Sequence, residues 1–158
     1  MPVSITKEIG IDMGHRVPGH ASHCKNVHGH RYRIIAHVQA EETVGADSGR
    51  SDAGMVADFG VIKQALMTAV HARFDHKLVL WVNDPLCEGP LLGELNGLGI
   101  PAVQVPCIPT AEEMARYWFG LVSAELARLV DPDHPVSSLD LVAIGVWETP
   151  TSYAEFRP

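Results

Sequence analysis

Two histidines separated by a glycine, His28-Gly29-His30, mark the part of the chain best equipped for chemistry. Side chains two apart on an extended strand share a face, roughly 6.5–7 Å apart at the backbone. At that spacing two imidazoles can lean onto one metal ion, and Gly29 leaves the opposite face bare. A third imidazole, His15, lies upstream, and Cys24 comes four residues before the pair. Three neutral imidazoles with a fourth position open form a common catalytic zinc arrangement. An isolated His-x-His is a weak motif, and on its own it reads more readily as two ordinary strand-end residues. His15, Cys24 and the apolar strand face that follows reverse that preference.

The elements that must position these residues follow from periodicity. Val3, Ile5, Ile9, Ile11 and Met13 alternate along a first strand over 3–13, with Lys7 interrupting and His15 in phase at its end. Pro18-Gly19 turns the chain into a loop carrying His20, His23 and Cys24. A second strand runs from about Gly29 to Glu41, with Tyr32, Ile34, Ala36 and Val38 on one face. The two strands are expected to pair antiparallel. Residues 43–54, small, polar and Gly-rich, read as a mobile loop. Asp58 reads as the N-cap of a helix from about Phe59 to Arg73. Thr110-Ala-Glu-Glu113 has the capping-box pattern and opens a second helix to about Val130, with Met114, Trp118, Leu121, Val122, Leu126 and Leu129 on one face. Strands follow over 138–148 and from Ser152 to Arg157. The stretch 81–109 is the least readable, with a short helix over 91–98 and a strand over 102–105 as its possible elements. The pattern predicts an α+β fold: a four-stranded antiparallel sheet with two helices on one face.

The length of 158 residues suits one domain, 1–158, with a real core. No apolar run approaches the ~20 residues that a membrane-spanning helix needs, and the N-terminus has no signal-peptide pattern. Three cysteines without framework spacing fit a reducing cytoplasm. A net charge of −7 argues against a general nucleic-acid binder, without excluding a phosphorylated small substrate.

Together, His15-Arg16, Cys24-x3-His28-Gly29-His30, Val56-x-Asp58-Phe59, Asp75-His76, Pro109-Thr110-x-Glu112 and Glu148 resemble the 6-pyruvoyl-tetrahydropterin synthase superfamily. The short Cys-x3-His-Gly-His spacing is most similar to its 6-carboxy-tetrahydropterin synthase branch, which acts in queuosine (7-deazaguanine) biosynthesis. The resemblance spans His15 to Glu148. It implies the tunnelling fold, in which ββααββ subunits close into a barrel, as in a hexamer built as a dimer of trimers, with active sites between subunits. It implies zinc on His15, His28 and His30, and Cys24 as general base. It implies Asp75 and His76 as acid–base partners, His76 being supplied by a neighbouring subunit. Glu148 would anchor the pterin, with Thr110 close by. The implied reaction converts 7,8-dihydroneopterin triphosphate to 6-carboxy-5,6,7,8-tetrahydropterin, acetaldehyde and triphosphate. Arg16, Lys25 and Lys77 are candidates for the triphosphate.

Outside that context the same residues read blandly. Cys24 is then an inert loop cysteine, Asp75-His76 a helix-end pair, and Glu148 a solvated carboxylate. Glu113 reads as a cap, Glu112 is open between site support and surface charge, and His20, His23, His37, His71 and His134 read as structural or exposed. The chain departs from short family members by an insertion at about 80–108 and by a generous 43–54 loop. Ile11-Asp-Met-Gly14 stands where an aromatic is common, and Glu113 where asparagine is usual. The alternatives are a pyruvoyl-forming or aldolase-like pterin enzyme, a zinc- and pterin-binding protein without turnover, and a zinc hydrolase.

Overall fold

A computed structural model of the chain describes residues 1–100, 102–134, 136 and 139–158. Strands β1 (Val3–His15) and β2 (His28–Ala40) form a long antiparallel ribbon. Their alternation is the expected one. Ile9, Ile11, Met13 and His15 are buried on β1, and Tyr32, Ile34, Ala36 and Val38 on β2.

Asp58 caps α1 (Phe59–Leu66), its carboxylate accepting the Gly60 amide at 2.6 Å. The helix continues through a π-helical turn (Met67–His71) into α2 (Ala72–Phe74). The uniform helix expected over 59–73 is therefore interrupted. The apolar positions stay on one side through the π turn, with Ala69, Val70 and Phe74 all buried. β3 (Lys77–Trp81), α3 (Pro85–Glu88), α4 (Leu91–Gly97) and β4 (Ala102–Val105) follow. Thr110 then caps α5 (Ala111–Leu129), its hydroxyl accepting the Glu113 amide at 3.4 Å. β5 (Asp140–Thr149) and β6 (Ser152–Phe156) end the fold. The start of the strand expected from residue 138 lies outside the described residues.

The sheet has six strands in the order β4-β3-β1-β2-β5-β6. Its antiparallel part, β1-β2-β5-β6, is the expected four-stranded sheet. The correction is at the β1 edge. β3 pairs parallel to β1 through Met13↔Lys77, and β4 pairs parallel to β3 through Leu78↔Ala102, so the whole sheet is mixed. A parallel pair needs a crossover connection, and the 80–108 insertion supplies one through α3 and α4, which bury no residue. The core lies between the sheet and the two main helical segments. It gathers Ile11, Tyr32, Ile34, Ile62, Leu66, Phe74, Trp118 and Ile144.

The 43–54 loop, expected to be mobile, is tied down. Val44 is buried with Ala40, Val56 and Val136. The Val44 amide reaches the Met55 carbonyl at 2.9 Å, and Asp52 takes Arg50 at 2.8 Å and His134 at 3.1 Å. Among the described residues no helix is long and apolar enough to cross a membrane.

Candidate active site

The β1–β2 register sets His15 opposite His28 and Met13 opposite His30. All three imidazoles therefore fall on the helix-facing side of the ribbon, at the end where the strands meet the 16–27 loop. Their ring centroids lie 4.5, 5.2 and 5.0 Å apart, and one ring nitrogen from each lies within 4.8 Å of the others. Gly29 belongs between them for a packing reason. A Cβ there would approach the Met13 carbonyl oxygen at 3.0 Å.

Two of the rings are oriented by the backbone. His15 Nδ1 donates to the Pro109 carbonyl at 2.6 Å, and His28 Nδ1 to the Asn26 carbonyl at 2.7 Å. That fixes the tautomer and leaves each Nε2 lone pair free, the usual outer support of a metal-binding histidine. Burial lowers the pKa of His15, against the opposing pull of the Pro109 carbonyl and Glu148, so the ring is held neutral, the form that ligates. Three imidazoles offering one ring nitrogen each within 4.8 Å of one another fit a tetrahedral zinc ion with one open position.

A cavity of about 200 Å³ opens beside these rings, and Cys24, Thr110, Glu112 and Glu148 line it with His15 and His28. Cys24 is half-buried in a single 3₁₀ turn (His23–Lys25), and its carbonyl accepts the Val17 amide at 2.8 Å, which closes the loop back onto β1. Glu148, near the end of β5, brings Oε1 to 3.7 Å from His15 Nε2. The structure thus gathers His15, His28, Cys24, Thr110 and Glu148 around one concavity, with His30 against the two rings from the side that lines the neighbouring grooves.

Asp75 and His76 are not part of it. Asp75 Oδ1 accepts the Asp12 amide at 2.9 Å, and His76 Nδ1 lies 2.7 Å from Asp75 Oδ2. Burial alone would raise the Asp75 pKa, but the Asp12 amide and the neighbouring His76 and His71 outweigh it, and the net shift is downward. His76 has φ of 56°, a left-handed conformation uncommon outside glycine, held by its own amide bonding the Asp12 carbonyl at 2.7 Å. Its side chain is 76% exposed and points into a separate groove with Asp12, Gly14, Arg31 and Lys77, which meets the imidazole cluster only at His30. Arg16 is engaged by buried Asp84 at 3.1 Å and does not line the cavity.

Two residues beyond those singled out belong to the site. His20, read as structural or exposed, lines the cavity. Tyr32, read as a core-face residue, turns its hydroxyl to 3.2 Å from His15 Nε2 and 3.4 Å from Glu148 Oε1. Its place two residues after His30 on the same strand face was the available signal.

A 6-carboxy-5,6,7,8-tetrahydropterin synthase from Rickettsia felis is 32% identical over 153 residues, covering 97% of this chain and 99% of that protein. One from Haemophilus influenzae is 29% identical over 153 residues, covering 97% of each. The fold is shared with a protein of uncharacterised function from Wolinella succinogenes, with a TM-score of 0.75, 20% identity, and coverage of 99% of this chain and 98% of the other. The 6-pyruvoyl tetrahydropterin synthase family matches residues 4–158, strand ribbon, imidazole cluster and Glu148 included, and the chain belongs to that family.

Proposed function

We propose that the chain is a zinc-dependent lyase that converts 7,8-dihydroneopterin triphosphate and one water to 6-carboxy-5,6,7,8-tetrahydropterin, acetaldehyde and triphosphate, as a step toward 7-deazaguanine nucleosides. The observation that carries this reading is a cluster of three imidazoles, two of which line one cavity with a free thiol and a carboxylate. The names of the relatives similar over nearly their whole length support the carboxy product.

His15, His28 and His30 would hold the Zn²⁺. When bound, the ion supplies Lewis acidity toward the hydroxyl oxygens of the substrate side chain. Cys24, as the thiolate, takes the proton from the neighbouring carbon. Glu148 accepts hydrogen bonds from the amino and ring N–H groups of the pterin, a paired, charge-assisted contact that fixes which carbon faces Cys24. Thr110 supports that wall of the cavity as the cap of α5. Asp75 orients His76 through Nδ1 and leaves Nε2 to carry a proton. Because that pair opens on a different groove of its own chain, it serves the cavity of a neighbouring copy in a homo-oligomeric barrel.

Product identification tests the reading. Zn²⁺-loaded protein incubated with dihydroneopterin triphosphate is expected to yield 6-carboxy-tetrahydropterin and acetaldehyde by mass spectrometry. A pyruvoyl or hydroxymethyl pterin would overturn the assigned product. The absence of any turnover would overturn the assignment as an enzyme on this substrate.

A further inference from the structure

His20 differs from the other two histidines of the cavity in what its Nδ1 atom meets. The Nδ1 atoms of His15 and His28 face the Pro109 and Asn26 carbonyls at 2.6 and 2.7 Å. A carbonyl only accepts, so those rings carry their proton on Nδ1 and leave Nε2 bare. His20 Nδ1 faces the Ser22 amide at 3.0 Å, and an amide N–H only donates. The Nδ1 lone pair is therefore in use, and the proton of the neutral ring sits on Nε2. On one cavity wall, two imidazoles offer a lone pair and the third offers an N–H.

The backbone under that N–H is closed. The His20 amide bonds the Val17 carbonyl at 3.2 Å, the Val17 amide bonds the Cys24 carbonyl at 2.8 Å, and Gly19, with φ of 80°, makes the left-handed turn before His20. His20 and Cys24 thus belong to one short loop tied at both ends. Of the described residues that line the cavity, His20 and Glu112 are the exposed ones, so they form its mouth. The rest of the wall is rich in acceptors: the bare nitrogens of His15 and His28 and the Glu148 carboxylate, against the hydroxyl of Thr110 and the thiol of Cys24. The cavity, at about 200 Å³, is smaller than the ~300–1,000 Å³ that usually encloses a drug-sized ligand. The outer end of a pterin triphosphate therefore has to pass through the mouth.

We propose that His20 is a substrate-binding residue whose Nε2–H donates to an acceptor oxygen of the substrate side chain where that chain leaves the cavity. The oxygen belongs to the first phosphate or to a side-chain hydroxyl, and the same N–H serves either. Glu112, across the mouth, cannot make this contact, because an ionised carboxylate only accepts. The contact holds the side chain along the loop that carries Cys24. The inference rests on the lyase reading, since it takes dihydroneopterin triphosphate as the ligand.

Binding is measured by titration calorimetry on Zn²⁺-loaded Cys24→Ala protein, which holds the substrate without converting it. Two further substitutions in that background divide the His20 ring. His20→Asn keeps the Ser22 bond, because an asparagine oxygen accepts the amide two residues on, but it stops short of Nε2. His20→Gln gives up that bond and carries an amide N–H out to the reach of Nε2. The Asn variant is expected to bind dihydroneopterin triphosphate about tenfold more weakly, and the Gln variant to restore most of the affinity, with Zn²⁺ content unchanged in both. A residue that only braced the loop would give the reverse order. Repeating the titrations with 7,8-dihydroneopterin, which lacks the triphosphate, identifies the oxygen. A loss confined to the triphosphate compound assigns it to the phosphate, and a loss with both assigns it to a hydroxyl. An Asn variant that binds as tightly as its parent, a Gln variant no better than Asn, or zinc lost from either overturns the inference alone. Failure of the parent to bind dihydroneopterin triphosphate overturns the proposed substrate, and the inference with it.

Discussion

Cys24 and the imidazoles share a cavity wall but do different work, and a substitution separates them. Cys24→Ala removes the thiol without touching His15, His28 or His30. The lyase reading expects turnover to fall by about 10²–10⁴-fold with Zn²⁺ content, measured by metal analysis, unchanged. A zinc hydrolase acting through bound water would keep most of its rate. A second residue, remote from the site, reports on stability. Arg50 holds the Asp52 carboxyl at a pKa of about 2, against an ordinary value of 3.8. Between those values the unfolded chain binds the proton and the folded chain does not. The stabilisation is therefore complete above about pH 4 and disappears as the pH falls toward 2. Asp52→Asn is expected to flatten that acid limb, measured as urea midpoints from pH 5 down to 2, with a smaller difference in high salt, because the pair is partly exposed. The imidazole cluster was legible from residue types, their spacing and the strand face behind them. The hydroxyl of Tyr32 was not, because an apolar alternation says which face a side chain takes and nothing about what its polar tip meets.

At the scale of the elements, the β1–β2 ribbon brings distant histidines into one cluster able to hold a metal ion. A period of two puts His28 and His30 on one face, and the antiparallel register brings His15 across from them. That register depends on the bare face of Gly29, where a Cβ would press on a backbone oxygen rather than on a yielding side chain. Gly29→Ala is therefore expected to spread the ribbon at its metal end and weaken Zn²⁺ binding by about tenfold or more, read by chelator competition, with the helical circular-dichroism signal retained. The ribbon was readable in advance because thirteen-residue strands carry a long alternation. β3 and β4, with five and four residues, carry almost none. A short run such as Leu78-Val-Leu-Trp81 cannot be told from a buried turn of helix by periodicity, and its pairing with β1 is decided by chain packing far from it in sequence. The tethering of the 43–54 loop was hidden for the same reason, since Asp52 and His134 meet only in the fold.

At the scale of the whole molecule, the sheet ends in two short strands, β4 and β6, each paired on one side only. Exposed strand edges are ready templates for pairing with another chain. The separation of the Asp75–His76 pair from the chain's own cavity would give such pairing a functional consequence. If the pair works in a neighbouring copy, each complete site takes Cys24 from one chain and His76 from another. Cys24→Ala and His76→Ala are each expected to be inactive alone. Dissociated, mixed in equal amounts and reassembled, they should recover activity, because some junctions join an intact Cys24 to an intact His76. Random mixing makes both partners intact at about one junction in four, so recovery approaches about a quarter of the wild-type rate. If both residues serve the same chain's cavity, every site in the mixture carries one of the two lesions and the mixture stays dead. The strained backbone of His76 favours the first outcome. A left-handed histidine tied to Asp12 and Asp75, with its ring mostly exposed, is an arrangement held at some energetic cost that presents the ring outward.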